Sequence, residues 1–395
     1  MTREELHALV DAQFDDLETL QKEPTFLEFE QKFAQIWTGL GCDVLQATIG
    51  KAPQNSPKKN NCQTRFGQIE VAHSHRFKAK TNGFFITPYL QELMALAGVS
   101  DVYSASSNLF RAFLQIDVSP SQVYRVSTVL GHQITLDLQQ DVAHPELVKD
   151  EVVYASMDGS MIFTDKGWQE VKVGRVFSSS SRVEAGQKGD SETRFKLKES
   201  TYCAHLGTAQ EFIPEFEASL GSYKTAPERL VFVTDGGVWI QQYLEQTYPQ
   251  ATHILDYYHA VEHLAEFSRL HFKRVKEGVQ WFDSQRDYLL SEGVDGVLAT
   301  LASLTKLSAS AAESRRQVVG YYSRNRHRMD YRRFRERGLQ IGSGPMEAAH
   351  RTVVQCRMKR SGQRWTDEGA QAMLNLRVAS KSGRWHLVTR SLQAT

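Results

Sequence analysis

Three acidic residues are the strongest candidates for chemistry in this sequence. Asp158 and Asp235 each stand before a glycine near the end of an apolar run, and Glu347 follows a Gly-Pro-Met segment. Carboxylates offer only oxygen donors, which suit the hard cation Mg²⁺ (or Mn²⁺). Two such ions about 4 Å apart can activate an attacking hydroxyl and stabilise the leaving oxygen of a phosphodiester. The three residues can form such a site only as a set, if the fold brings them together.

Each of the three residues also has a structural explanation on its own. Asp-Gly is a common turn pair, which explains Asp158 and Asp235 equally well. Pro345 fits the first position of a helix, with the glycine before it as the N-cap. Glu347 then falls in the first turn, where a negative charge meets the positive end of the helix dipole. We expect this helix to end at Gly362, and both roles of Glu347, helix cap and metal ligand, stay open.

A second acidic feature is Asp256, followed three residues later by His259 at a predicted strand-to-helix junction. His259 is a candidate for orienting a catalytic carboxylate or contacting a phosphate. A helix-capping Asp256 with a packed His259 explains the same pattern equally well. His259, His263 and His271 fall near one helical face. We expect packing there, because no acidic residue has ligand spacing with all three.

The basic residues are concentrated near the C-terminus. Residues 315–395 hold 18 Lys and Arg against 5 Asp and Glu, whereas the rest of the chain holds 29 against 41. Arginine predominates there and aromatic residues are interleaved with it, a combination that favours phosphate binding and base stacking. A polyanionic partner, most often nucleic acid, is therefore predicted. A merely solvated basic face is the alternative.

The candidate nucleic-acid contacts come from three parts of the chain. Trp281 is a candidate for stacking on an unpaired base, although a core position explains it as well, and Trp365 is a candidate for stacking or packing. The complete set of predicted contacts is Arg125, Trp281, Arg351, Arg357, Lys359, Arg360, Arg364 and Trp365.

Composition describes an ordinary globular protein of 395 residues, with 41% hydrophobic and 24% charged residues. No apolar run approaches the roughly 18 residues that would span a bilayer, and the first residues lack the features of a signal peptide. The four cysteines show no disulfide-framework spacing. We therefore expect a cytoplasmic, DNA-associated protein of bacterial type, without a membrane partner.

The N-terminal third is predicted to be mainly helical. Residues 62–75 alternate as a short β-ribbon in which Cys62, His73 and His75 are a weak zinc candidate, because a closed zinc site needs four well-spaced ligands. Residues 87–132 then show two short helices joined by a turn, the second opened by Ser119 or Ser121, as in a helix-turn-helix.

The middle of the chain carries the predicted catalytic core. Residues 152–163 form an apolar strand with Asp158 near its end, and an antiparallel strand follows over 170–177. We expect a mobile loop over 178–191, a third strand over 193–205 and a helix over 210–220. Buried strands ending in Asp235 and Asp256, each followed by a helix, complete the pattern.

This order predicts an α/β fold with an RNase H-like mixed sheet, in which Asp158 and Asp235 lie at adjacent strand ends. An all-helical insertion interrupts the core, and a mainly helical N-terminal DNA-binding region precedes it. The predicted divisions are a helical segment over 1–60, the DNA-binding region over 61–145, the core over 146–259, the insertion over 260–335 and the second part of the core with basic helices over 336–395.

Six separated segments resemble, in the right order, bacterial insertion-sequence DDE transposases, specifically the Kra group, which is related to Mutator-type elements. The likeness covers roughly residues 85–390. Its segments are Met157-Asp-Gly-Ser, Thr234-Asp-Gly-Gly-Val-Trp-Ile, Leu255-Asp-Tyr-Tyr-His-Ala-Val-Glu-His-Leu264, Ile341-Gly-Ser-Gly-Pro-Met-Glu347, Arg357-Met-Lys-Arg-Ser-Gly-Gln-Arg-Trp365 and Asn375-Leu-Arg377.

The resemblance implies a catalytic triad of Asp158, Asp235 and Glu347, with Asp256 and His259 as an Asp-x-x-His signature. Asp235 precedes Gly-Gly where the family more often has Gly-Ala. Many relatives carry a cysteine-rich ribbon near the N-terminus, of which this chain keeps only Cys62.

The implied activity is Mg²⁺-dependent cleavage at the terminal inverted repeats of an insertion sequence, followed by strand transfer into target DNA. Double-stranded DNA would be the partner, and a homodimer is expected because two element ends must be cut together. A transposase-derived DNA-binding protein without catalysis and an RNase H-like nuclease or resolvase are the alternatives.

Overall fold

The computed structural model describes residues 1–50, 59–73, 75–141, 145–148, 151–188 and 192–393. Two compact units divide the chain, one formed by residues 1–138 with 365–395 and the other by residues 139–364. The sequence-based divisions keep 336–395 together with the core. In the structure, residues 365–395 instead cluster with the N-terminal part of the chain, because their helices pack on helices from that part.

The secondary structure follows in chain order. The first helices and strands are Arg3–Asp11 (α1), Phe14–Thr19 (α2), Phe26–Ile49 (α3), Lys59–Thr64 (β1), Gly67–Ala72 (β2), Pro88–Ser100 (α4), Tyr103–Leu114 (α5), Pro120–Gln133 (α6) and Thr135–Gln140 (α7). The central ones are Val153–Thr164 (β3), Gly167–Ser178 (β4), Arg182–Lys188 (β5), Glu192–Leu197 (β6), Thr201–Leu206 (β7), Ala209–Gly221 (α8), Leu230–Thr234 (β8), Val238–Thr247 (α9) and Thr252–Leu255 (β9).

Helices make up the rest. They are Tyr257–His271 (α10), Val275–Ser291 (α11), Val294–Ser303 (α12), Ala309–Asn325 (α13), Tyr331–Glu336 (α14), Gly344–Ala349 (α15), Cys356–Met358 (α16), Asp367–Lys381 (α17) and His386–Gln393 (α18). A π-helical segment, His350–Gln355, joins α15 to α16 without a break.

The first unit confirms the predicted helices and ribbon. β1 and β2 pair antiparallel, with Cys62 buried in their small core. α6 is opened by Ser119, whose hydroxyl accepts from the backbone N–H of Gln122 while the Gln122 side chain accepts from the Ser119 N–H. This reciprocal capping box satisfies two backbone donors that the helix itself leaves unpaired. DNA binding by this pair of helices stays a prediction.

The second unit is built on a five-stranded mixed sheet in the order β7-β4-β3-β8-β9. β4 pairs antiparallel with both β7 and β3, whereas β8 pairs in parallel with both β3 and β9. Side chains alternate between the two faces of these strands. Tyr154 and Val231 therefore pack against the helices after β9, while Ala155 and Phe232 pack against α8 and α9. Helices thus cover both faces, which confirms a mixed α/β fold.

Two predictions for the region after β4 are wrong. Residues 178–191 were expected to be a mobile loop, but the described part of this stretch forms a short 3₁₀ turn and β5, which pairs with β6. The strand expected over 193–205 is split between β6 and β7. The polar composition of β5 and β6 lacks the apolar alternation by which strands are recognised in a sequence, so only their pairing reveals them.

The region between β9 and α15 is helical, as predicted for the insertion. α10, α11, α12 and α13 pack against one another and bury a shared apolar core. Within the described ranges, no helix is both long and apolar enough to cross a membrane.

Candidate active site on the mixed sheet

Asp158 on β3 and Asp235 just after β8 lie close together. β3 pairs with β8 in parallel, and the last paired residues are Ala155 and Phe232. Asp158 and Asp235 each lie three residues beyond this last pair, Asp235 as the first residue after β8. The two carboxylates are close enough for the charge of Asp158 to raise the pKa of Asp235.

The position of Asp158 within its strand differs from the prediction. Asp158 was expected near a strand end, but it lies in the middle of β3, which continues to Thr164 as an antiparallel partner of β4. The neighbouring strand β8 is the one that ends here. Asp158 is consequently at the border where the parallel pairing stops, and its side chain keeps 39% of its surface exposed.

Asp235 is the more buried of the two carboxylates, and its pKa is raised above the ordinary value of 3.8. Burial is the main cause, because it disfavours the charged form. The backbone N–H of Gly237, which donates to Asp235 Oδ1 at 3.0 Å, acts in the opposite direction. The negative charge of Asp158 raises the pKa further, while His259 and Arg328 lower it. Two carboxylates that repel each other favour a bound cation.

His350 is a site residue that the sequence analysis missed. Its Nε2 lies 2.9 Å from Asp158 Oδ2, and its side chain is only 7% exposed. The other carboxylate oxygen, Asp158 Oδ1, accepts a hydrogen bond from the backbone N–H of Gly159 at 2.7 Å. His350 follows Glu347 by three residues, but it is buried against the sheet whereas Glu347 is exposed. The Glu-x-x-His spacing was the available signal.

The helix that carries Glu347 begins and ends differently from the prediction. Ser343, not Gly344, is the N-cap, and the helical stretch ends at Met358, four residues before Gly362. The six residues after Ala349 form the π-helical segment. Such segments are rare and occur often at functional sites. Glu347 itself is exposed in the first turn.

Arg175 holds the start of this helix from the neighbouring strand β4. Its Nη1 donates to the backbone carbonyl of Pro345 at 2.5 Å. Its Nε and Nη2 donate to the Ser200 hydroxyl at 3.0 and 2.9 Å, and its guanidinium lies over the ring of Tyr202. Arg175 is only 6% exposed. A buried arginine with this many partners fixes where Glu347 emerges relative to the sheet.

The two aspartates come together, but Glu347 does not join them in a ready metal site. Among the described residues, no group of three or more His, Cys, Asp or Glu side chains could hold a metal ion as it stands. Asp158 and Asp235 nevertheless supply the oxygen donors that Mg²⁺ prefers. Their mutual repulsion also fits a cation at this site. A metal role for all three residues stays a prediction.

Asp256 caps the start of α10, which confirms the capping interpretation, and it also contacts the loop before Glu347. It is only 4% exposed, and its Oδ1 accepts from the Tyr258 N–H at 2.9 Å at the start of α10. Its Oδ2 accepts from the hydroxyl of Ser343, the N-cap of the Glu347 helix. The Tyr257 N–H donates to the carbonyl of Ile341 at 2.9 Å. Asp256 thereby ties the end of β9 to the loop before Glu347.

His259 is partly exposed and close enough to Asp235 to affect its pKa. The His259 side chain keeps 42% of its surface exposed, and its Nδ1 lies 3.6 Å from Glu262. The pKa of His263, whose ring centroid lies 5.5 Å away, is lowered by burial and then by His259. Both histidines line an open cavity of about 680 Å³ beside α10 and α11. His271 packs against Phe272 instead, as expected.

The structure divides the predicted nucleic-acid contacts into accessible and buried residues. Arg125, Arg351, Lys359, Arg360 and Arg364 are exposed.

Three other predicted contacts need correction. Arg357 is 1% exposed and Trp365 is 5% exposed, so neither side chain can reach a ligand in this structure. Trp365 packs edge-on against Tyr103. Trp281 is partly buried between Phe267 and Phe272, at centroid distances of 5.3 and 5.6 Å. It takes the core role that the sequence analysis left open.

Several arginines of the basic C-terminal region act inside the protein. Arg328, Arg357, Arg377 and Arg384 are each at most 5% exposed. Arg377 donates to the carbonyl of Val99 at 2.8 Å, and Arg384 donates to two carbonyls at the end of α7. The surplus of positive charge counted along the sequence therefore overstates the positive charge on the surface.

A protein-family model covers the residues of this site. The model described as "Uncharacterised protein family (UPF0236)" matches residues 95–391, which include Asp158, Asp235, His259, Glu347 and His350. The chain is 23% identical over 280 residues to the "UPF0236 protein in vanSb 3'region" of Streptococcus gallolyticus. That match covers 66% of this chain and 59% of the relative. The chain spans less than two thirds of that relative's length, and by the extent of the domain match it belongs to UPF0236.

Proposed function

We propose that this protein is a DDE transposase with an RNase H-like catalytic core. Three antiparallel strands, a helix and then parallel strands that alternate with helices agree with that core. The helical region between Asp256 and the Glu347 helix agrees with an insertion before the third acidic residue. The six sequence segments that resemble insertion-sequence transposases support the same proposal. The observation that carries it is the proximity of Asp158 on β3 and Asp235 just after β8, close enough for the charge of Asp158 to raise the pKa of Asp235.

In this proposal, Asp158 and Asp235 would hold divalent metal, with Mg²⁺ or Mn²⁺ as the ion, and Glu347 would complete the ligand set. The metal would supply activation of the attacking hydroxyl and neutralisation of charge on the phosphodiester. His350 Nε2 lies 2.9 Å from Asp158 Oδ2, and His259, which lowers the pKa of Asp235, also lines the open cavity.

The substrate in this proposal is double-stranded DNA, with the terminal inverted repeats as donor and a second duplex as target. Phosphate contacts position a nucleic acid without reading its sequence. The exposed Arg351, Lys359, Arg360 and Arg364 would make such contacts near the Glu347 helix. A homodimer would let two element ends be cut together. The same acidic site would also serve an RNase H-like nuclease or resolvase, and a DNA-binding protein without catalysis is the third alternative.

The test measures end cleavage and end binding separately. Labelled duplexes carrying the inverted repeats that bracket the coding region would be incubated with Mg²⁺ and with wild type, Asp158→Asn or Asp235→Asn. We expect cleavage and strand transfer by wild type, and loss of at least 100-fold in either variant, while binding without metal stays within about twofold. Asp287→Asn, which changes an exposed aspartate on α11, is the matched control and should cleave like wild type.

The alternatives give different results in the same assay. Cleavage without any preference for repeat ends would support a nuclease or resolvase. Binding without cleavage by wild type would support the non-catalytic protein. Cleavage that survives Asp158→Asn, or loss of binding together with cleavage, would overturn the catalytic assignment.

A further inference from the structure

The tip of the β3–β4 hairpin carries two exposed aromatic side chains. Phe163 and Trp168 face each other across the strands, in the second pair from the turn. Their ring centroids are 5.4 Å apart and the planes are tilted by 59°. Phe163 is 40% exposed and Trp168 is 67% exposed. Tryptophan is usually well buried in a folded protein. An exposed cross-strand aromatic pair at a hairpin tip is therefore a candidate binding surface.

Arg364 holds a fixed position beside this pair. Its guanidinium carbon lies 5.9 Å from the centre of the Phe163 ring, and its Nη2 donates to the backbone carbonyl of Asp165 in the turn at 2.9 Å. The side chain remains exposed. Arginine over an aromatic ring is attracted by the negative face of the ring. The tip therefore presents a positive charge and two aromatic faces together.

The face of the sheet that carries the pair is also apolar farther along β3. Met161, two residues before Phe163, is on the same face because side chains alternate, and it is 42% exposed. Its cross-strand neighbour is Glu170. The charged groups at the tip are Arg364 and Lys166, with Asp165 as the one acid in the turn. Glu170 pairs with Lys172 at 2.9 Å, so the net charge of these residues is positive by one.

The exposed area of the two aromatic rings indicates which class of partner they can bind. A fully exposed aromatic side chain offers about 150–250 Å², so the two rings together expose roughly 200–250 Å². A stable protein–protein interface needs about 800 Å² from each partner. Two rings with an adjacent arginine are instead the elements with which proteins hold unpaired bases and the phosphates between them.

We propose that Phe163, Trp168 and Arg364 form a stacking platform for unpaired nucleotides of a DNA strand. This proposal rests on the proposed function and adds a binding site that the acidic triad does not include. Phe163 is five positions beyond Asp158 along β3, or about 17 Å at 3.4 Å per residue. That length corresponds to about five base steps. Because five is an odd number of positions, the two side chains project from opposite faces of β3, and the unpaired bases of a strand cut at the acidic residues would reach the platform by passing around the tip of the hairpin.

The test compares two DNA substrates without metal, so that no cleavage occurs. One is a fluorescently labelled duplex with a five-nucleotide 3′ overhang, and the other is the same duplex with a blunt end. Binding to the full chain is followed by fluorescence anisotropy. Wild type should prefer the overhang. Trp168→Ala should weaken binding of the overhang by about 5- to 150-fold and leave blunt-duplex binding within about twofold.

Matched variants separate stacking from other effects. Trp168→Phe keeps an aromatic face and should recover most of the overhang binding. Trp37→Ala removes a tryptophan with similar exposure, 61%, from the acidic N-terminal part of the chain and should bind both substrates like wild type. Arg364→Gln should weaken overhang binding and reduce its dependence on salt concentration. The thermal unfolding midpoint of each variant shows whether it is folded.

The proposal is overturned if folded Trp168→Ala binds the overhang as tightly as wild type, or if it loses both substrates equally. A change of oligomeric state in Trp168→Ala, measured by light scattering, would instead make the tip a contact between protein copies. The catalytic assignment is judged separately by Asp158→Asn. Loss of cleavage in that variant together with unaltered overhang binding in Trp168→Ala would reject the platform alone, and the reverse result would reject the catalytic assignment alone.

Discussion

His350 Nε2 lies 2.9 Å from Asp158 Oδ2, and this contact joins the Glu347 helix to the central strand of the sheet. The histidine is buried, so the contact is shielded from solvent. Arg175 anchors the same helix one turn earlier through the carbonyl of Pro345. His350 and Arg175, together with Asp256 at the N-cap Ser343, therefore fix the helix that carries Glu347.

We expect His350→Ala to lower DNA cleavage by about 10- to 100-fold, the usual effect of removing a residue that orients a metal ligand. His350→Gln, which keeps a polar group near Asp158, should recover part of the loss. The measurements are the cleavage rate, the Mg²⁺ concentration for half-maximal rate and the unfolding midpoint. An unchanged Mg²⁺ requirement in a folded His350→Ala protein would show that the contact does not position Asp158 for metal binding.

The raised pKa of Asp235 predicts a dependence of stability on pH. Because folding favours the protonated form, the charged carboxylate costs stability at neutral pH. The loss of stability is complete at a pH above the raised pKa of Asp235 in the folded protein. It disappears as the pH falls below the ordinary pKa of 3.8. Asp235→Asn should therefore unfold at a higher temperature than wild type at pH 7, by a few degrees at about 2–4 °C per kcal/mol.

The difference between Asp235→Asn and wild type should narrow steadily as the pH is lowered toward 4, in unfolding scans without divalent ions. The buried Arg328 could reverse this result, because its positive charge favours the Asp235 carboxylate. A variant that is less stable than wild type at pH 7 would show that the attraction of Arg328 outweighs burial and the repulsion from Asp158.

Divalent cation should stabilise the folded protein through the two aspartates. A ligand at ten times its dissociation constant adds about 1.4 kcal/mol, which corresponds to roughly 3–6 °C in a unit of this size. We expect this shift with Mg²⁺ or Mn²⁺ in wild type and its loss in Asp158→Asn. Na⁺ at matched ionic strength is the control. An equal shift in wild type and Asp158→Asn would place the bound cation elsewhere.

Two glycines beside the aspartates should respond differently to alanine. A Cβ on Gly236 would lie 2.2 Å from Cε2 of the Tyr321 ring, which is itself packed against His263. A Cβ on Gly159 would lie 1.9 Å from Oε1 of Glu170, the far end of a partly exposed side chain whose other oxygen lies 2.9 Å from Lys172 Nζ.

We therefore expect Gly236→Ala to cost about 1–3 kcal/mol, as overpacking does, and Gly159→Ala to stay within about 0.5 kcal/mol, as a change that a flexible side chain can absorb. Urea unfolding measures both free energies. We attribute the need for glycine at position 236 to the Tyr321 ring. Equal losses of unfolding free energy in the two variants would contradict this explanation.

The anchoring role of Arg175 can be measured with a substitution that keeps its charge. Lysine has no planar fork to reach both Ser200 and the Pro345 carbonyl, so Arg175→Lys should lower the free energy of unfolding by about 1–3 kcal/mol. Amide hydrogen exchange over 344–349 should rise at the same time. Arg316→Lys, at an exposed pair with Glu313, should change stability by less than about 0.5 kcal/mol. Unchanged amide hydrogen exchange over 344–349 in Arg175→Lys would show that Arg175 does not fix the start of the Glu347 helix.

Local signals in the sequence were sufficient for most helices and for the strands of the main sheet. The capped helix after Ser119, the hairpin turn after Thr164 and the buried strand before Asp235 all depend on residues close in the chain. Turn chemistry, capping and hydrophobic alternation act over a few residues, so they can be read without knowing the fold. The β5–β6 hairpin was not predicted, because its strands lack that hydrophobic alternation.

The candidate site was only partly predictable, because local sequence signals do not show which distant residues come into contact. Residue type and spacing singled out Asp158, Asp235 and Glu347 from the sequence alone, together with the Asp256 cap. The tertiary structure decided that β3 and β8 are neighbours, which brings the two aspartates close together, and that His350 contacts Asp158. It also decided that Arg357 and Trp365 are buried while Trp168 is exposed. Register and burial arise from contacts between residues far apart in the chain, and no local pattern of residues encodes them.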